Sequence, residues 1–138
     1  MQFFLVIFVV IVNLIIDRIM KIGIIRCQQT EDLCGGNACL FSAAKEKGAF
    51  AEIIELNDSK ENSTVNKVVS FISCGGCPGK KTIPRAKMLI EKGAEVIALA
   101  SCIGKGTPIG FPCPHFEQIK NSLRKQIKDI KLLEWTHN

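Results

Sequence analysis

The sequence has no internal repeat, no low-complexity tract and no tyrosine, and it holds only two histidines. It also lacks a strong excess of one charge. The net charge of +5 permits an anionic partner without predicting one. A charged fraction of 22% beside 47% apolar residues excludes a disordered chain and fits a globular one. At 138 residues there is room for one domain and little more. No apolar run reaches the roughly 20 residues that a membrane-spanning helix needs. Cysteine, by contrast, is abundant. There are seven, an odd number, so complete disulfide pairing within one chain is impossible.

The apolar residues are concentrated at the start. Residues 1–19 hold 15 of them, and Phe3 to Ile16 is interrupted only by Asn13. The n-region of this leader is only Met1-Gln2, with no basic residue, and no A-x-A cleavage pattern follows, so it is not an ordinary secretory signal. Met20 directly precedes a strand-like segment, and translation from Met20 is one reading of the leader. A membrane anchor through residues 3–16, or a degenerate signal, is another, and an added strand or helix a third. The chain thus divides into a 1–19 leader and a 20–138 domain. Its expected location is the cytoplasm, or a membrane if the leader is retained.

In the domain, Lys21–Arg26 (KIGIIR), Ala51–Leu56, Lys67–Ser73 (KVVSFIS) and Glu95–Ala100 (EVIALA) read as strands, with Leu132–Trp135 as a last edge strand. Helices are expected from Asn37 to Lys47 with Gly48 as the stop, and from Thr82 as cap to Lys92 with Gly93 as the stop. A third follows the stripe Phe116, Ile119, Leu123, Ile127 and Ile130. The polar stretch Asn57–Asn66 is expected to be an exposed loop, and its Asn62-Ser63-Thr64 sequon a coincidence in the absence of a secretory signal. Ser101–Pro114 is read as a Gly/Pro-rich loop. The alternation predicts an α/β fold: a mostly parallel sheet of about five strands flanked by three helices. The pair flanking the polar loop has no crossover helix in this reading and is left free to be antiparallel.

The cysteines sit where such a sheet places ligands. Cys27, Cys74, Cys77 and Cys102 follow strands, and parallel strand ends share one edge of the sheet. Cys34, Cys39, Cys113 and His115 lie in loops opening on that edge. Unrelated core thiols would fall inside elements, and structural disulfides would want an oxidising compartment. Thiolates bind Zn²⁺ or iron–sulfur clusters, and C-x-x-C lets one tight turn present two sulfurs. In Cys74-Gly75-Gly76-Cys77 the glycines permit positive φ and a close wrap around an ion. Cys74 and Cys77 are the first expected ligands, then Cys102 and Cys27. Cys113 and His115 are expected to complete that site, or a second one with Cys34 and Cys39.

The string ISCGGCPGKK, with KIGIIRCQQTEDLC before it and ALASCIGKGTPIGFPCPHFEQI after it, resembles the CGGC-domain family over about Met20 to His137. The resemblance implies a metal-binding domain, for zinc, with Cys27, Cys34, Cys39, Cys74, Cys77, Cys102, Cys113 and His115 at the matching positions. It implies nothing about catalysis. Family members begin at the Met before KIGIIRC, which favours the Met20 start. A 4Fe–4S cluster is the alternative cofactor, because thiolate-only ligation suits either. Dithiol/disulfide exchange by the C-x-x-C pair is the alternative activity.

Other chemistries lack a necessary residue. The loop Cys34-Gly35-Gly36-Asn37-Ala38-Cys39 resembles the start of a low-molecular-weight tyrosine phosphatase loop, but the phosphate-clamping Arg is replaced by Leu40. The glycine spacing of Cys74–Thr82 misses the phosphate-loop pattern. Two basic patches, one with Lys80, Lys81, Arg85 and Lys87 and one with Lys120, Arg124, Lys125 and Lys128, carry no interleaved aromatics, so no nucleic-acid partner is predicted. His137 is read as solvated. The expected partner is a metal ion.

Overall fold

The computed structural model describes residues 2–16, 19–56 and 65–138. The sequon and most of the polar loop lie outside the described residues.

The leader is a helix, α1 (Gln2–Ile16). At 15 residues it is about 22 Å long. Its large apolar side chains from Phe3 to Ile11 are exposed, and none joins the core. Among the described residues no helix is long and apolar enough to cross a membrane.

The sheet begins with β1 (Ile19–Arg26), followed by α2 (Asn37–Ala44), α3 (Ala51–Leu56) and β2 (Val65–Ser73). Then come α4 (Thr82–Glu91), β3 (Val96–Leu99), α5 (Ser101–Gly104), α6 (Phe116–Gln126) and β4 (Lys131–Leu133). Short 3₁₀ turns lie at Gln28–Thr30 and Gly48–Phe50. The four strands run in the order β2-β1-β3-β4, and every described pairing is parallel. The α/β class and the parallel sheet agree with the sequence reading. The detail differs: there are four strands among the described residues where about five were expected, and more helices than three.

The missing strand is Ala51–Leu56, which folds as α3. A six-residue apolar run carries too little periodicity to separate helix from strand. Topology decides it: β1 and β2 are parallel, and a parallel pair needs a crossover on one face of the sheet. The α2–α3 segment is that crossover, with Phe50 and Ile53 buried beneath it. The antiparallel option for Ala51–Leu56 with Lys67–Ser73 falls as well, because the first of these segments is a helix. The four-residue α5 also breaks the stretch read as a loop.

Two apolar layers flank the sheet. Ile22, Ile24, Val96 and Ala98 face Cys39, Ala43, Phe50 and Ile53 on the α2–α3 side. Ile25, Ile97 and Leu99 face Ala86, Leu89, Ile119 and Leu123 of α4 and α6 on the other. Gly23 lets α4 come close, because a Cβ there would stand 2.9 Å from the Leu89 Cδ1. At the same level the β1–β2 register slips, pairing Ile22 with Val68 and Gly23 with Ser70. Val69 is left as an exposed bulge residue.

Helix boundaries shift slightly from the sequence reading. Gly36, not Asn37, precedes the first turn of α2, and α2 stops at Ala44 rather than Lys47. Glu46 takes a left-handed conformation just beyond it. Thr82 is the first residue of α4, fully buried, rather than its cap. Gly93 ends that helix region at φ +109°, as the sequence suggests.

Candidate metal centre

The strand order places a topological switch point at β1 and β3. The chain leaves β1 over one face to reach β2, then crosses back by α4 on the other face to β3. Open α/β sheets bind ligands outside the carboxyl ends of such a strand pair. Cys27 is the first residue after β1, and Cys102 lies in the first turn of α5, just after β3. The Cys27 N–H donates to the Cys102 Sγ at 3.2 Å. One residue on, the Gln28 N–H donates to the Cys74 Sγ at 3.4 Å. Three thiols from three strand ends are thus tied together through the main chain.

The turn after β2 brings the next donor. Cys74 continues the ladder, its N–H bonding the Arg26 carbonyl at 2.7 Å. Gly75 and Gly76 then take φ of +84° and +98°, a reversal that side chains would resist. Cys74 is buried and Cys77 exposed. From the far side, Cys113 is fixed by its N–H to the Ile103 carbonyl at 2.8 Å, and its Sγ accepts the His115 N–H at 3.4 Å. Cys27, Cys74, Gly76, Cys77, Cys113 and His115 line one small cleft.

Burial raises the pKa of Cys27, and the neighbouring Cys102 and Cys74 raise it further. Burial likewise raises Cys113, with Cys77, Cys74 and Cys102 adding to the effect. The same couplings reach Cys39 through Cys102 and Cys34, so charge alone does not separate one group of thiols from another.

Cys34, Cys39 and Cys102 do not line this cleft, and only Cys102 is joined to it, through the Cys27 N–H. Cys39, expected in a loop, lies within α2 and faces the core, 4% exposed, its Sγ 3.2 Å from the Thr136 Oγ1. Burial raises its pKa. The Cys34 Sγ accepts the Gly36 N–H at 3.4 Å, and its carbonyl accepts from the Arg26 guanidinium. That guanidinium lies over the Phe71 ring and makes no ion pair among the described residues. A second cation beside it would be repelled. Among the described residues no three Cys, His, Asp or Glu side chains stand in a ready-made ligating cluster. The donor chemistry of the cleft nonetheless fits a thiophilic ion: Cys27, Cys74, Cys77 and Cys113 line it with the imidazole of His115.

Several supporting residues carry no sequence signal of their own. The main-chain N–H groups of Cys27 and Gln28 act whatever side chain they bear. Ser101 is fully buried and holds α5 to the segment after β4. Its Oγ accepts the N–H groups of Thr136 at 3.1 Å and His137 at 2.9 Å. The His137 ring lies beside the Asn138 carbonyl, away from the cleft lining. In the basic patches, Lys120 and Arg124 pair with Glu117 and Glu134, and Arg85 bonds Ser73.

A doubly wound parallel α/β domain with a thiol cluster at its switch point is the class that fold and site define. The CGGC domain model matches residues 21–137, and the chain belongs to the CGGC domain family. It is similar to the uncharacterized protein MJ0582 of Methanocaldococcus jannaschii, with 34% identity over 126 residues, covering 86% of this chain and 87% of that one. It is also similar to the uncharacterized protein MJ0766 of the same organism, with 40% identity over 58 residues, 41% of this chain and 83% of the relative. No solved structure matches.

Proposed function

We propose that this protein binds a thiophilic metal ion, zinc, in the cleft at the ends of β1, β2 and β3. Cys74, Cys77, Cys102 and Cys27 supply thiolates, and Cys113 and His115 close the far side. The observation that carries this reading is the pair of N–H to sulfur bonds joining Cys27 to Cys102 and Gln28 to Cys74. They gather sulfurs from three strand ends, and a metal would bind these sulfurs as thiolates. Six donors exceed the four of a structural zinc site, so two stand aside or exchange with the others. Cys34 and Cys39 stay outside this centre. Zinc bound there would join the elements that carry its ligands and stabilise the domain. The cytoplasm suits such free thiols, which are kept reduced there; attachment to a membrane would run through residues 3–16.

Anaerobic purification followed by elemental analysis and a visible spectrum tests this. Stoichiometric zinc in a colourless protein supports it. A brown iron-containing protein replaces zinc with a 4Fe–4S cluster. A second reading is dithiol exchange, favoured by the unequal exposure of Cys74 and Cys77, which would give one sulfur to a partner and keep the other for resolution. A metal-free protein with a reversibly titratable Cys74–Cys77 disulfide would establish it instead.

A further inference from the structure

A second cavity adjoins the thiol cleft. It is a pocket of about 150 Å³ between the turn that follows Cys77, the start of α4 and the side of α6. It shares Pro78, Gly79 and Ile119 with the cleft that Cys77 lines. The turn meets α6 here because Gly79 has no side chain: a Cβ there would stand 2.5 Å from the Ile119 Cδ1. Ile83 and Ile119 give the pocket apolar walls, while Lys80, Gln118 and Ser122 bring an ammonium, an amide and a hydroxyl. No Asp or Glu lines it. Lys80 pairs with no acid among the described residues, and Glu117, next to Gln118, pairs with Lys120 at 3.0 Å. An unpaired ammonium beside an amide and a hydroxyl suits a carboxylate. Whole-ligand pockets commonly run to about 300–1,000 Å³, so this one has room for a single short arm of a molecule. At its edge, one residue before Pro78, stands Cys77, the only exposed one of the seven cysteines.

We propose that Cys77 is a site of S-thiolation by small disulfides that carry a carboxylate, with the carboxylate held by Lys80 in the adjoining pocket. This goes beyond both readings above and needs neither a metal nor Cys74. The Cys77 thiolate attacks one sulfur of the small disulfide. A bond forms between the Cys77 Sγ and that sulfur as the S–S bond of the small molecule breaks. The departing sulfur leaves with the electron pair of that bond and takes up the proton that Cys77 gave up. Cys77 is oxidised to a mixed disulfide, and the other half of the small molecule is reduced to a thiol. The pocket sets which disulfides react, because a seated carboxylate holds the S–S bond beside Cys77.

The test treats the full reduced chain under argon with three disulfides of similar reach and different charge: anionic dithiodipropionate, neutral hydroxyethyl disulfide and cationic cystamine. Quenched samples are read by intact mass and peptide mapping. Dithiodipropionate should react at Cys77 about tenfold faster than hydroxyethyl disulfide at low ionic strength, and its rate should saturate with concentration. Cystamine should be the slowest. Lys80→Gln should remove the preference for the anion, whereas Lys81→Gln should leave most of it, because Lys81 does not line the pocket. Ser122→Phe, which fills the pocket, should abolish saturation and leave the reaction with hydroxyethyl disulfide unchanged. Equal rates with all three disulfides, equal losses for Lys80→Gln and Lys81→Gln, or a first adduct at another cysteine overturns the proposal. A Cys77 adduct that persists, with no Cys74–Cys77 disulfide following it, supports this site while overturning the dithiol-exchange reading.

Discussion

The main-chain N–H of Cys27 lies 3.2 Å from the sulfur of Cys102, although 75 residues separate the two in sequence. The contact exists because β1 and β3 are neighbours at the switch point, with Ile25 in register with Leu99. It makes these two cysteines the most firmly placed members of the centre. Cys27→Ala and Cys102→Ala should each weaken zinc binding by more than the roughly 10–100-fold that an outer-shell partner is worth. Cys34→Ala should leave it unchanged. Competition with a chromophoric chelator measures all three, and a loss at Cys34 equal to that at Cys102 would show that the donors are divided differently.

The pKa directions fix a pH dependence for the metal-free protein. Cys27, Cys39 and Cys113 are all raised above the ordinary 9.0, first by burial. As pH rises past that value, the unfolded chain releases protons that the folded chain still holds, so stability falls with pH. It is fully present below the ordinary thiol value and is lost as pH climbs through the raised ones. Urea melts at pH 7 and at pH 10 should show a lower midpoint at pH 10. Zinc affinity should move the opposite way, rising with pH, because each thiol must give up a proton to bind.

Ser101 tests how the α5 end of the site is held. Its hydroxyl is buried and serves Thr136 and His137 together. Ser101→Ala strands two N–H donors and should cost about 1–3 kcal/mol per unsatisfied group, read by denaturant melts. Because Cys102 is the next residue, zinc affinity should drop as well.

Gly48 tests the same anchor from the other side. It sits at φ +59°, and a Cβ would meet the Thr136 carbonyl oxygen at 2.1 Å. Gly48→Ala should destabilise by at least about 1–3 kcal/mol from backbone strain alone. An unchanged thermal midpoint would mean that this segment does not rest on the domain in solution.

Removal of α1 should leave the domain intact. None of its described side chains belongs to either core layer. A chain starting at Met20 should match the stability of the longer one within about 0.5 kcal/mol and bind zinc equally well. A large loss on truncation would show that the helix packs on the domain.

Much of the fold was legible because β1, β2 and β3 are compact apolar runs ended by cysteine, glycine or proline. Six residues from Ala51 to Leu56 were not, since their conformation depends on the parallel partner that the chain must reach. The four residues of α5 were hidden in the same way, by Gly and Pro downstream. For the site, strand-end position pointed to the thiols as a set. Their division was illegible, because Cys39 turns inward beneath α2 while Cys27 and Cys102 meet across β1 and β3. The face a side chain takes after a loop is set by tertiary packing, and the hydrogen-bond donors that gather the sulfurs are main-chain groups common to nearly every residue.

The two sides of the cleft are built from different materials. Cys27 directly follows β1, and Cys102 lies in the short helix just after β3, the other central strand; the Cys27 N–H joins the two. Cys77 and Cys113 come from a glycine reversal and from the stretch leading into α6. On the metal-binding reading proposed above, the centre would work like a caliper, with the sheet side as its fixed jaw and the loop side as its adjustable one. Ions of different radius would be accommodated by the CGGC turn and the Cys113 arm, while the sheet stays where it is.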